Sequence, residues 1–192
     1  MRKGTDRAVN LRPWMALFTI AMVALLASAA RADVTLEKKG KAFRAEIDGE
    51  LFARYVFEGH PKPIVYPIHG PTGAGMTRNF PMNKVGGESR DHDHHKSLWY
   101  AQDKVNGVRF WAEEGRIVQA KVLDTFSGEN SASLSTRNRW IGPEDEIQCT
   151  DTRTVTFRSL PGGVRAIDWK ITLHASHGDL TIGDTKEGSM AI

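Results

Sequence analysis

Residues 86–100 read GGESRDHDHHKSLWY. Three of the seven histidines, His92, His94 and His95, fall within four positions, interleaved with Asp91 and Asp93 and preceded by Glu88. Imidazoles and carboxylates move protons near neutral pH, bind transition metals, or hold polar ligands through hydrogen bonds. Drawn out as an extended segment, His92 and His94 would project to one side, and Asp91, Asp93 and His95 to the other. His92, His94, His95 and Glu88 are therefore the candidate catalytic centre. A histidine near its own pKa would shuttle a proton at a sugar carbon or ring oxygen, with a carboxylate as partner. His92 and His94 are also candidate metal ligands, and Glu88 could complete a two-histidine, one-carboxylate set. The expected cofactor is thus none or a transition metal. A solvated loop with structural histidines is the third reading, because the spacing is not a signature such as HExxH.

Upstream, His60 and His69 bracket HPKPIVYPIH, in which Pro61, Pro63 and Pro67 fix φ and stiffen the chain. Arg78 in MTRNFP could grip a carboxylate or phosphate, or simply pair with a surface acid. Downstream, Trp99 and Trp111 flank Asn106-Gly107, a tight-turn dipeptide that would bring them together across a hairpin. A tryptophan beside polar residues suits the apolar face of a sugar ring, and it equally suits a core. His60, His69, Arg78, Trp99 and Trp111 are accordingly the candidate ligand-binding residues. Cys149, the one cysteine, reads as a strand residue rather than a nucleophile, since no neighbour in sequence would lower its pKa. There is no GxSxG, no glycine-rich phosphate loop and no CxxC.

The elements that must hold these residues read as strands. AFRAEI (42–47) and LFARYVF (51–57) flank Asp48-Gly49, a hairpin signal. In 116–126, Val118, Ala120 and Val122 share one face; in 164–175, Ile167, Trp169, Ile171 and Leu173 do. DTRTVTFRSL (151–160) leads into the turn Pro161-Gly162-Gly163. The period is two throughout, which predicts an all-β fold, an antiparallel β-sandwich. Residues 58–98 predict a long, proline-stiffened, ordered loop across one face of the sheet, too apolar at Ile64, Val65, Tyr66, Ile68, Met76, Phe80 and Met82 to be disordered.

Residues 1–32 have a basic start (Arg2, Lys3, Arg7, Arg12), the apolar run WMALFTIAMVALLASAA and a small-x-small site at Ala30-Arg31-Ala32. That is the pattern of a cleaved signal peptide and predicts export to the periplasm or cell exterior. Five of the 26 Lys/Arg and one of the 23 Asp/Glu lie within it, so the rest is nearly neutral. No basic patch argues for nucleic acid, and no membrane attachment is expected after cleavage. Residues 33–192 suffice for a single domain. With one cysteine it has no internal disulfide, so its stability must come from a core. The chain stops at GDLTIGDTKEGSMAI as an apolar strand begins, which predicts a domain truncated at its C-terminus.

The blocks GHPKPIVYPIHGPTGAGMTRNFP, GESRDHDHHKSLWYAQDKVNGVRFW and GDTKEG resemble a bacterial family of secreted proteins that goes under the name methane oxygenase PmoA. The resemblance runs from about Leu36 to the C-terminus. The family's central motif is similar to D-H-P-H-H-[RK]-S-L-W; here Asp93 stands in place of the proline. The name implies copper-dependent oxygenase chemistry. The family's all-β pattern and sugar-catabolic neighbours imply a galactose-mutarotase-like supersandwich and a carbohydrate-like small-molecule ligand. Members are longer, with a further C-terminal block. The expectation is an exported sandwich protein that binds or acts on such a ligand. A metal-binding protein and a non-catalytic binding or structural module are the alternatives.

Overall fold

A computed structural model describes residues 31–192, so the signal-peptide segment lies almost wholly outside the described residues. The strands are β1 (Asp33–Lys39), β2 (Ala42–Ile47), β3 (Glu50–Val56), β4 (Ile64–Ile68), β5 (Leu98–Tyr100), β6 (Lys104–Val105), β7 (Val108–Arg109), β8 (Arg116–Glu129), β9 (Ser131–Ile141), β10 (Ile147–Leu160), β11 (Val164–His174) and β12 (Met190–Ala191). The expected all-β antiparallel architecture is what forms. Ten strands make one continuous sheet in the order β11-β10-β9-β8-β1-β2-β3-β4-β5-β12, and β6 and β7 form a small hairpin of their own.

The sandwich is this sheet folded over itself. β1 and β8 pair only at Asp33↔Glu129 and Val34↔Gly128, with one more tie where the Leu36 amide donates to Ser127 Oγ at 2.9 Å. On either side of that short seam the strands separate into a four-strand leaf (β8–β11) and a six-strand leaf. Their inner faces meet. Phe52 of β3 packs edge-on to Phe157 of β10 at 5.9 Å, and Tyr55 meets Trp169 of β11 at 6.3 Å.

The hairpins follow their turn residues. Asp48 and Gly49 have φ of 51° and 79°, the two positive values a two-residue turn needs, and they join β2 to β3. Within the expected loop, Ile64–Ile68 pairs with β3 and β5 as β4, which divides the irregular chain into a short connection, 58–63, and a long excursion, 69–97. In β8 the predicted face is not the inner one. Val118 is 38% exposed whereas Ile117 is 2% exposed. Register shifts at Gln119/Lys121 and Val122/Asp124 break the alternation and return Val122 to the core.

Two apolar clusters fill the interior. One holds Phe43, Phe52, Tyr55, Leu134, Val155 and Phe157; the other holds Ile64, Trp99, Phe110, Trp111, Trp140 and Cys149. Between them along β9 and β10 runs a polar belt of Thr136, Asn138, Asp151 and Arg153, all buried. Asp151 accepts from Asn138 Nδ2 at 2.6 Å, Trp140 Nε1 at 2.8 Å, and Arg153 Nε and Nη2 at 3.0 and 2.5 Å. Burial pushes its pKa up, but the Arg153 guanidinium and these hydrogen bonds outweigh burial, so the net shift is downward. A buried pair is costly to half-remove, because the survivor is a desolvated, unpaired charge. Replacing Arg153 with Met is expected to cost about 3–5 kcal/mol of stability in urea unfolding. Phe157→Ala should cost a similar ~3–5 kcal/mol through the cavity it leaves.

Candidate functional site

The histidines come together by a turn rather than along a strand. His92 has φ of 49°, and the His95 amide donates to the His92 carbonyl at 2.9 Å. This bend cancels the alternation expected of an extended segment. The ring centroids of His92, His94 and His95 are 5.8, 5.4 and 4.6 Å apart. The bend is held from outside by Arg78. Its guanidinium donates to the Asp91 carboxylate at 3.1 Å and to the carbonyls of Asp91 and His92 at 2.9 and 2.8 Å. Arg78 is thus largely spent on positioning, and its remaining exposure faces a cleft.

Beneath the rings lies a layer of buried charge. Lys62, which the chain delivers just before β4, is 2% exposed, and Lys96 is 8% exposed. Both bind Glu113: Lys62 Nζ donates to Oε1 at 2.8 Å, and Lys96 Nζ to Oε1 and Oε2 at 2.6 and 2.7 Å. Lys62 also donates to the Trp111 carbonyl at 3.3 Å and sits 4.0 Å from the Trp99 ring centroid. Burial lowers its pKa to about 8 against the pull of Glu113. The cluster thus gathers three segments: the start of β4, the histidine bend and the chain after β7.

The two tryptophans meet as the Asn106-Gly107 turn predicts. Asn106 and Gly107 have φ of 50° and 86°, and the Trp99 and Trp111 centroids are 4.3 Å apart. Both are core residues, 0% and 6% exposed, which leaves no ring face for a sugar to stack on. Their visible role is to support His95, whose ring lies 6.1 and 5.9 Å from theirs, close to edge-on. The GDTKEG block reaches the same region. Thr185 Oγ1 donates to the buried Asp103 at 2.9 Å, and the Gly183 amide donates to the Lys104 carbonyl. A side chain at Gly183 would collide with Lys104 Cβ at 2.9 Å.

His60 joins the cluster electrostatically: burial lowers its pKa first, and Lys96 adds to the effect. Glu88 and His69 do not join it. The Glu88 carboxylate is engaged by the Asn79 amide and side chain and by the Phe80 amide, at 2.8 to 3.0 Å. It pins the loop, and these hydrogen bonds hold it below the usual carboxylate pKa. His69 lines a separate apolar cleft with Phe52, Ile68 and Arg165. Glu113 is the carboxylate that works here, and with Lys96 it escaped the sequence reading. Lys96 lies inside the quoted motif, whereas nothing local marks Glu113. Cys149 is fully buried, and burial pushes its thiol up to about 12, consistent with an inert strand residue.

A cleft of about 430 Å³ opens beside His95, lined by Met76, Thr77, Arg78, Ser97 and Ile192. The Thr77 and Ser97 hydroxyls hydrogen-bond each other at 2.8 Å within it. As a metal centre the arrangement is incomplete: among the described residues no three His, Cys, Asp or Glu side chains are placed to hold an ion. Two of its imidazoles are held toward the neutral form. Burial is the largest cause lowering the pKa of both His94 and His95. Lys62 adds to it at His94, and the neighbouring imidazoles add to it at His95.

Folded-state pKa values below the unfolded 6.5 mean that the unfolded chain binds protons the folded site refuses. The stability of the site is therefore complete above pH 6.5 and declines as pH falls through that value and below. NMR titration of the imidazoles should give midpoints for His94 and His95 below that of a free histidine. Midpoints at or above it would contradict this packing.

No curated protein and no solved structure matches the chain. A family model does, over residues 42–192, a span holding every block described above: the chain belongs to the family of unknown function DUF6807.

Proposed function

We propose that this is an exported β-sandwich protein that binds, or acts on, a carbohydrate-like ligand in the cleft beside His95. One observation carries the reading: three imidazoles gather over a buried Lys62–Glu113–Lys96 cluster, and one of them, His95, lines a cleft with hydroxyl groups on its walls. A neutral imidazole can accept a proton from a ligand hydroxyl or carbon, and burial together with Lys62 keeps His94 and His95 toward that neutral, proton-accepting form. The Thr77 and Ser97 hydroxyls offer donors and acceptors of the kind a polyhydroxylated ligand uses. Export rests on the pattern of residues 1–32, and places the site in the periplasm or outside the cell.

Calorimetry against a panel of neutral and acidic sugars tests this. Saturable binding is expected, weakened at least about tenfold by His95→Ala, the order of loss when a polar contact to a ligand goes unmet. The same variant should keep the unfolding midpoint of the parent within about 1 kcal/mol, since His95 is half-exposed. If no sugar binds and His95→Ala is only less stable, the histidines are structural and the non-catalytic module is the better reading.

The second reading is a metal-binding protein, with or without the oxygenase chemistry implied by the PmoA name. The ring spacing favours it. Three imidazoles on one tetrahedral ion, at metal–nitrogen distances of about 2.0–2.1 Å, place their centroids roughly 5 Å apart. Here their nitrogens would still have to rotate onto a common point. Elemental analysis after reconstitution should show a stoichiometric transition metal lost on His92→Ala if this reading holds, and none if the acid–base reading holds.

A further inference from the structure

β11 ends the ten-stranded sheet, and its outer edge pairs with nothing among the described residues. It is also one of the longer strands, with eleven residues, Val164–His174. Such an edge presents a row of unpaired amides and carbonyls. Its inward side chains Ile167, Trp169 and Leu173 pack on the core clusters, yet these and Ile171 remain only partly covered.

We propose that β11 is the seam of a two-fold homodimer, pairing antiparallel with the same strand of a second copy. The sequence of the strand argues for this occupant. A two-fold axis normal to the sheet must pass through one residue of β11, so that inward side chains meet inward ones. With the axis at Trp169, Asp168 lies opposite the partner subunit's Lys170, and Lys170 opposite the partner subunit's Asp168. Ile167 then meets the partner subunit's Ile171, and the apolar rows of the two copies become continuous. An axis at Asp168 or Lys170 sets a charge against itself. An axis at Ile167 leaves Asp168 and Lys170 opposite Ala166 and Val164, and one at Ile171 leaves Lys170 opposite Thr172. One register therefore satisfies both faces of the strand. Asp168 and Lys170 are both exposed in the single chain, where Asp168 pairs with Arg158 of β10. In this register each copy would continue the other's four-strand leaf, and the two half-covered apolar rows of β11 would abut.

Sedimentation velocity on the purified chain across a dilution series tests the seam. The parent should sediment as a dimer that dissociates on dilution. Lys170→Asp puts like charges opposite each other at two symmetric positions and should weaken association by at least about tenfold. Combining it with Asp168→Lys swaps the signs and should restore the dimer. Strand circular dichroism should change little in either variant. A parent that stays monomeric at all concentrations would overturn the proposal. So would a dimer indifferent to Lys170→Asp, or a double variant that is not rescued.

Discussion

Glu113 is the one carboxylate that two buried lysines share, and the architecture of the histidine region hangs on it. Moving an ammonium group out of water is prohibitive unless partners replace the water. Lys62 finds three: the Glu113 carboxylate, the Trp111 carbonyl and the face of Trp99. Lys96 finds both oxygens of the same carboxylate. Since Lys62 leads into β4, Lys96 ends the histidine bend and Glu113 follows β7, one group of charges fixes three segments that share no hairpin. Two cations on one anion leave the layer short of negative charge, which is part of why the imidazoles above it resist protonation.

The long loop between β4 and β5 is organised by a division of labour among its polar residues. Glu88 closes the loop on itself by filling its carboxylate with the amides of 79 and 80, and Tyr66 adds a hydrogen bond from β4 to Asn79 at 2.8 Å. Arg78 clamps the carbonyls of the bend. Neither residue has much capacity left for a ligand. What the loop then presents to solvent is imidazole and hydroxyl, held on a packed base of Trp99 and Trp111. Loops that carry chemistry on a sheet scaffold are commonly stiffened in this way.

Much of the fold was legible because period-two patterning and turn dipeptides act locally. Asp48-Gly49 and Asn106-Gly107 specified their turns through positive φ alone. The face of β8 was misread because bulges shift the register, and a bulge depends on the partner strand as well as on the bulged one. β4 was hidden by Pro67 within it and Pro63 just before it. At the site, the histidines, Arg78 and the tryptophan pair were legible as residue types in a short motif. Their roles were not. Glu88 lies near the histidines in sequence and turns away from them, while Glu113 lies far off and is brought in by a hairpin and a pair of buried lysines. Burial decides which carboxylate works, and burial is a property of the assembled sheet.

The polar belt inside the sandwich has a consequence for how β10 finds its place. A slip of two residues between β9 and β10 would keep every inward side chain inward, so hydrophobic alternation cannot forbid it. The belt can. In the native register Asp151 lies opposite Asn138, and Arg153 opposite Thr136. Displaced by two, Asp151 would face Thr136 or Trp140 instead, and one member of the ion pair would enter an apolar cluster. Two long strands of alternating pattern are thereby given a single alignment, much as a key on a shaft admits a wheel at one angle only.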